Sequence, residues 1–116
     1  LAILSKCQQL DIPILAIRAV QAGALTSSMD RSPNESGFDK SDFDDFDKAE
    51  PFRDLAIEWG ESPASLAHRY ALSIKGVASV ILGVKNRTEL KECVGAEVKD
   101  LLSDSEIQQI KNCLKG

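Results

Sequence analysis

The segment Gly83-Val84-Lys85-Asn86-Arg87-Thr88 follows directly on the apolar run Val77-Ala78-Ser79-Val80-Ile81-Leu82 and precedes a helix-like stretch from Glu89 to about Val98. A glycine at such a point lets a ligand come close to the backbone. The start of a helix presents N–H groups without intrahelical acceptors and carries a partial positive charge. Lys85 and Arg87 add two full positive charges in a chain whose formal net charge is −4. This combination suits an anion, most naturally a phosphate. It suits equally an ordinary strand-to-helix turn with exposed basic side chains. There is no Walker motif and no G-x-G-x-x-G, so neither a nucleoside-triphosphate loop nor a Rossmann fingerprint is implied.

Other reactive side chains point to less. His68 is the chain's single histidine. As a base it would need a Ser or Cys nucleophile arranged towards it, and no such arrangement is evident. It falls largely off the apolar stripe of its helix, and a solvated or locally hydrogen-bonded side chain is expected. Cys7, Cys93 and Cys113 are odd in number, widely spaced and without a C-x-x-C. Neither a disulfide framework nor a zinc site is expected, and a reducing cytoplasm fits. The acidic run Asp39-Lys40-Ser41-Asp42-Phe43-Asp44-Asp45-Phe46-Asp47 invites a calcium reading. The EF-hand spacing, its central glycine and its terminal glutamate are missing, so a solvated acidic loop is expected and no metal.

The elements that would hold these groups follow from periodicity and punctuation. In residues 1–10, Ile3, Leu4, Cys7 and Leu10 share one face, with Ser5, Lys6, Gln8 and Gln9 outside it. Asp11 and Pro13 break that helix. Ile12-Pro13-Ile14-Leu15-Ala16-Ile17 is a short continuous apolar run, expected as a strand buried on both faces. Residues 27–50 hold eight acidic and three basic residues and read as a long loop, pinned to the body by Phe43 and Phe46.

Phe52, Leu55, Ala56 and Trp59 form a helical stripe stopped by Gly60. Ser62-Pro63 has the form of a helix start. Leu66, Tyr70 and Ile74 mark the next buried face, with Ala67 and Ala71 beside them, and Gly76 closes it. The run 77–82 is a second buried strand. In the following helix Leu90, Cys93 and Val94 point inward. Ser103-Asp104-Ser105-Glu106 has capping-box form and opens a last helix with Ile107, Ile110 and Leu114 on one face.

A helical crossover between two strands implies a parallel pair and an α/β architecture. Two parallel strands cannot close a sheet, and both lateral edges would present unpaired backbone groups. A (β/α)₈ barrel takes ~250 residues, and the simplest account of 116 residues is a C-terminal fragment of a TIM barrel. The functional face would lie at the strand C-termini, where Arg18 and Gly83 fall. The loops after the last two strands of such barrels frequently form a phosphate site.

Three stretches resemble the aldo-keto reductase family. Ile14-Leu15-Ala16-Ile17-Arg18-Ala19-Val20-Gln21-Ala22-Gly23-Ala24-Leu25-Thr26 is similar to its seventh strand and turn. Ser62-Pro63-Ala64-Ser65-Leu66-Ala67-His68-Arg69-Tyr70-Ala71-Leu72-Ser73 is similar to its seventh helix. Gly76-Val77-Ala78-Ser79-Val80-Ile81-Leu82-Gly83-Val84-Lys85, with Glu89-Leu90 and Glu92, is similar to its eighth strand and the cofactor motif beyond it. The match omits residues 27–50.

The resemblance implies an NADP(H)-linked carbonyl, aldehyde or aldose oxidoreductase on a TIM barrel. Ile17, Arg18, Ala19 and Val20 would line the nicotinamide and pyrophosphate. Gly83, Val84 and Lys85 would hold the adenosine 2′-phosphate. Glu89, Glu92 and Cys93 would approach the adenosine. The chain departs from the family at Arg18-Ala19-Val20 for Ser-Pro-Leu, Leu82 for Pro, Glu89 for Gln or Arg, and Cys93 for Asn. Glu89 would repel a 2′-phosphate, so NAD(H) stands beside NADP(H), with Arg18 and Arg87 as substitute cations.

The family's catalytic Asp, Tyr, Lys and His lie on strands that nothing here resembles. No catalytic residue is therefore expected in this chain, and alone it would be inactive. Tyr70 is expected in the core.

Composition is that of a globular domain, with 43% hydrophobic and 28% charged residues. The acidic balance argues against nucleic acid. No apolar run approaches the roughly 20 residues of a membrane helix. The expected partners are a nicotinamide cofactor and, in the complete barrel, a small carbonyl substrate. The alternatives are a non-catalytic nucleotide-binding or docking module derived from the same fold, or a small α/β domain with a generic phosphate site.

Overall fold

The computed structural model describes residues 2–19, 25, 46–84 and 86–115. Most of the 27–50 segment, with Phe43, lies outside them. The elements run α1 (Ala2–Gln9), β1 (Ile14–Ala16), α2 (Glu50–Glu58), α3 (Pro63–Ser73), β2 (Val77–Val80), α4 (Arg87–Glu97) and α5 (Asp104–Leu114). This is the order that periodicity predicts.

Helix ends are written in the local sequence. At the end of α1 the Ile12 N–H donates to Cys7 O at 2.8 Å and the Asp11 N–H to Gln8 O at 3.2 Å. Asp11 adopts φ +56°, so this is a Schellman closure with aspartate in the place usually taken by glycine. The same closure ends α2, where Glu61 N–H reaches Ala56 O and Gly60 N–H reaches Ile57 O, both at 2.9 Å, with Gly60 at φ +71°.

Helix starts are as legible. Ser62 Oγ accepts from the Ser65 N–H at 3.2 Å, and Pro63 is the first residue of α3. Ser103 and Glu106 close a reciprocal capping box on α5. Asn86 caps α4, which starts at Arg87, two residues before the start expected at Glu89.

The core lies between helices. Phe52 and Ala56 of α2, Leu66 and Ala67 of α3, Leu102 and Ile110 of α5 are buried together, with Leu55, Trp59, Tyr70 and Ile107 packed against them. Full burial of a side chain such as Leu66 contributes roughly 1.5–3 kcal/mol. Phe46 is half-buried with the Arg53 guanidinium 3.8 Å from its ring centroid, so the end of the acidic segment does dock.

β1 and β2 pair in parallel, with Ile14 opposite Val77, Leu15 opposite Ser79 and Ala16 opposite Val80. Ala78 is therefore an extra residue in the ladder. Helix α3 packs on β2 and α4 packs on α3. Gln8 of α1 donates to the Lys75 carbonyl at 2.7 Å and ties the first helix to the turn before β2.

Three expectations are corrected. The strands are not buried on both faces: Leu15 is 58% exposed, Ile17 67% and Ile81 53%. Among the described residues, α3 packs on β2, and these three side chains are left largely without cover. In α4, Cys93 is inward but Leu90 and Val94 are exposed. In α1 no residue is fully buried, with Leu4 and Cys7 only half-covered, because a single contact side cannot enclose it.

Candidate functional site

The parallel ladder brings the C-terminal ends of both strands to one edge. The Ile81 N–H donates to the Ala16 carbonyl at 2.8 Å, one step beyond the Ala16–Val80 pair. Ile17 and Arg18 therefore leave β1 beside the point where Leu82 and Gly83 leave β2. Arg18 takes φ +55°, a left-handed conformation uncommon outside glycine, and this turns the chain sharply at the sheet edge.

On the β2 side, Leu82, Gly83 and Val84 are exposed. A Cβ placed on Gly83 would meet nothing within 4 Å, so the backbone there is open to approach. Asn86 then adopts an extended conformation, and its side-chain oxygen accepts from the Glu89 N–H at 2.9 Å. The cap satisfies Glu89. Helix geometry offers the Arg87 and Thr88 amides no intrahelical acceptor, and they lie at the helix end that follows the strand exit. Arg87 is exposed, and Glu89 and Glu92 are half-buried on the same helix.

Of the residues expected to contact a cofactor, Ile17, Arg18, Ala19, Gly83, Val84, Arg87, Glu89 and Glu92 are described, and they lie at the strand exits and along α4. Val20 and Lys85 lie outside the described residues. The Cys93 side chain is turned into the α3–α4 interface.

There the Cys93 thiol meets His68 Nε2 at 2.8 Å, a contact that nothing in the local sequence announces. His68 is 3% exposed, which corrects the expectation of a solvated or locally bonded side chain: its partner is 25 residues away. Burial pushes the imidazole below its ordinary pKa. Burial, with the nearby charges of Glu92 and Glu89, pushes the thiol up. Both shifts favour neutral forms, so a thiol and a neutral imidazole share a hydrogen bond and no ion pair forms. A buried thiol held protonated is a poor nucleophile.

A second network, also unannounced, closes the far side of the helix layer. Glu61 accepts from Arg69 Nη1 at 2.8 Å, Lys99 Nζ at 2.9 Å and Ser65 Oγ at 2.9 Å. Arg69 also donates twice to the Asp100 carbonyl, at 3.1 Å from Nε and 2.8 Å from Nη2. Ser73 Oγ donates to Arg69 O at 2.6 Å and accepts the Leu102 N–H at 2.9 Å. These bonds fasten the segment after α4 to α3. Among the described residues no group of three or more His, Cys, Asp or Glu could hold a metal ion, and no helix is long and apolar enough to cross a membrane.

The sequence model described as the Aldo/keto reductase family matches residues 2–115. No curated protein sequence matches the chain. Among solved structures, an aldo-keto reductase from Bacillus halodurans in its holo form is similar at a TM-score of 0.69 and 21% identity, over 95% of this chain and 36% of that one. A glycerol dehydrogenase from Gluconobacter oxydans is similar at a TM-score of 0.73 and 23% identity, over 96% of this chain and 36% of that one. At these identities the likeness is one of fold, and the chain spans about a third of each of those proteins.

Proposed function

The chain belongs to the aldo/keto reductase family, and from that premise we propose that it carries the C-terminal share of the nicotinamide-nucleotide site of an oxidoreductase acting on small carbonyl compounds. One observation carries the reading: the hydrogen bond from Ile81 N–H to Ala16 O sets the two strand exits side by side, with Arg18 on one and the Gly83 turn on the other.

The residues present fit a nucleotide. Gly83 leaves open space at the backbone, and the capped N-terminus of α4 follows within a few residues. In this reading Ile17, Arg18 and Ala19, with Val20, face the nicotinamide and pyrophosphate side. Gly83 and Val84 admit the phosphate to the backbone, and Lys85 and Arg87 neutralise it. Glu89 and Glu92 face the adenosine. NADP(H) is the first cofactor of the proposal. NAD(H) is the second, because Glu89 stands where a 2′-phosphate would be repelled, and a carboxylate suits a ribose hydroxyl.

The bound nicotinamide supplies the hydride, and this chain's residues supply position and charge. Tyr70 packs against the helical core and His68 is engaged by Cys93, so neither is offered as proton donor. The proton donor and the substrate pocket belong, in this reading, to the rest of a barrel of which this chain spans about a third.

The test is calorimetric titration of the full protein with NADPH and NADH at one salt concentration, before and after Lys85→Ala with Arg87→Ala. Losing hydrogen bonds to a charged group at ~1.5–3 kcal/mol each weakens NADPH binding about tenfold or more, with a smaller loss for NADH. Unchanged affinity for both nucleotides would remove the phosphate assignment.

A further inference from the structure

Helix α4 packs on α3 and, with the residues just after it, makes hydrogen bonds to it and its neighbours at separated places. Of its eleven residues only Cys93 and Ala96 are buried. Just beyond its C-terminal end, Lys99 and Asp100 are hooked to Glu61, Ser65 and Arg69. In its middle the thiol of Cys93 meets His68 Nε2, at 2.8 Å and buried on both sides. His68 is a firm base for it, because Pro63 to His68 of α3 are all buried. The Asn86 cap stands at the other end of α4, about 10 Å from Cys93 at the rise of an α-helix. Loosening the mid-helix contact therefore affects the N-terminal end of α4 more than the end beside the Lys99–Asp100 bonds, which those bonds continue to hold.

We propose that the Cys93–His68 hydrogen bond is a positioning contact that helps to set the direction of α4 and so places the Asn86 cap and the first amides of the helix for an anionic ligand. Its consequence for nucleotide binding rests on the nicotinamide reading above. Its consequence for α4 does not. Cys93 acts from beneath the site, through His68, rather than by touching the ligand.

The experiment uses the full protein with His68→Leu, which removes the ring nitrogen, Cys93→Ala, which removes the thiol, and His68→Gln, which retains a side chain able to hydrogen-bond the thiol. Backbone hydrogen exchange is followed along the chain without nucleotide, and NADPH and NADH affinities and kcat are then measured. His68→Leu and Cys93→Ala each speed exchange over residues 87–91 by about fivefold to tenfold, the scale of one lost hydrogen bond, while residues 104–114 keep their protection. Nucleotide affinity falls by a similar factor, kcat at saturating nucleotide is retained, and His68→Gln restores most of both.

Unchanged exchange over 87–91 would overturn the proposal. So would an equal rise in α5, which would mean general loosening, or a His68→Gln no better than His68→Leu. If one disrupting variant does not fold, the other decides. If the parent protein binds neither nucleotide, the nicotinamide reading fails and the exchange pattern still decides the role of the pair.

Discussion

Arg69 Nη1 lies 2.8 Å from Glu61 Oε2, with the Glu61 carboxylate only 5% exposed. Glu61 is the residue that completes the closure of α2, and Arg69 is mid-way along α3 with its other nitrogens on the Asp100 carbonyl. One ion pair thus joins the α2–α3 turn, α3 and the α4–α5 connection. Burial alone would raise the Glu61 carboxyl. Hydrogen bonds from Lys99, Ser65 and Arg69, with the Arg69 charge, outweigh it and hold the group below its ordinary value of 4.5.

The sign of the pH dependence follows. A carboxyl whose folded pKa is depressed adds stability above its unfolded pKa and loses it as pH falls through the folded one. Urea midpoints of the full protein should therefore drop on acidification from about pH 5, and Glu61→Gln should flatten that limb while lowering stability at neutral pH. Parallel acid limbs in parent and variant would count against the network.

His68 adds a loss of the same sign, beginning at higher pH. Its folded pKa lies below the ordinary 6.5 because burial penalises the imidazolium. The unfolded chain takes up the proton first, so stability falls as pH drops below 6.5 and the loss is complete below the folded pKa. His68→Gln should remove this slope, leaving urea midpoints flat over that interval apart from carboxylate effects.

Ser103→Ala removes the oxygen that accepts the Glu106 N–H at 3.1 Å and breaks the reciprocal box. A loss of about 1 kcal/mol is expected in chemical denaturation. Ser103→Asp, which keeps an acceptor, should recover most of it.

Gly60 and Gly83 make a discriminating pair. A Cβ at either would meet nothing within 4 Å, but only Gly60 has a left-handed φ, at +71°. Gly60→Ala should cost about 1 kcal/mol through the backbone alone. Gly83→Ala should leave stability nearly unchanged and weaken nucleotide binding, because its added methyl occupies the open approach. Equal effects on stability would show that Gly83 serves the fold rather than the ligand.

The element order, the capping of α3 and α5 by Ser62 and Ser103 and the closure at Gly60 were all readable along the chain. Each depends on groups at most a few residues apart. Apolar periodicity also marked Leu66, Ala67, Phe52 and Ile110 as core. It failed at Leu90, Val94, Leu15 and Ile81, since an apolar pattern says which face prefers cover and not whether a neighbouring layer is present. The Asn86 cap had a local signal, Asn followed three residues later by Glu89, and could have moved the α4 start to its observed place.

The pairs that set the site's frame had no such signal. His68 and Cys93 are 25 residues apart, and Glu61 and Lys99 are 38 apart. A histidine off the main stripe of a helix looks the same in sequence whether it meets water or a thiol. Its fate is set by the helix that comes to lie over it, and that depends on how two strands pair and how three helices share one core. Short-range hydrogen bonding and residue volume are properties of neighbouring residues and can be read in order. Burial, and with it the protonation of Glu61, His68 and Cys93, is a property of what surrounds a group in space, and folding alone supplies those surroundings.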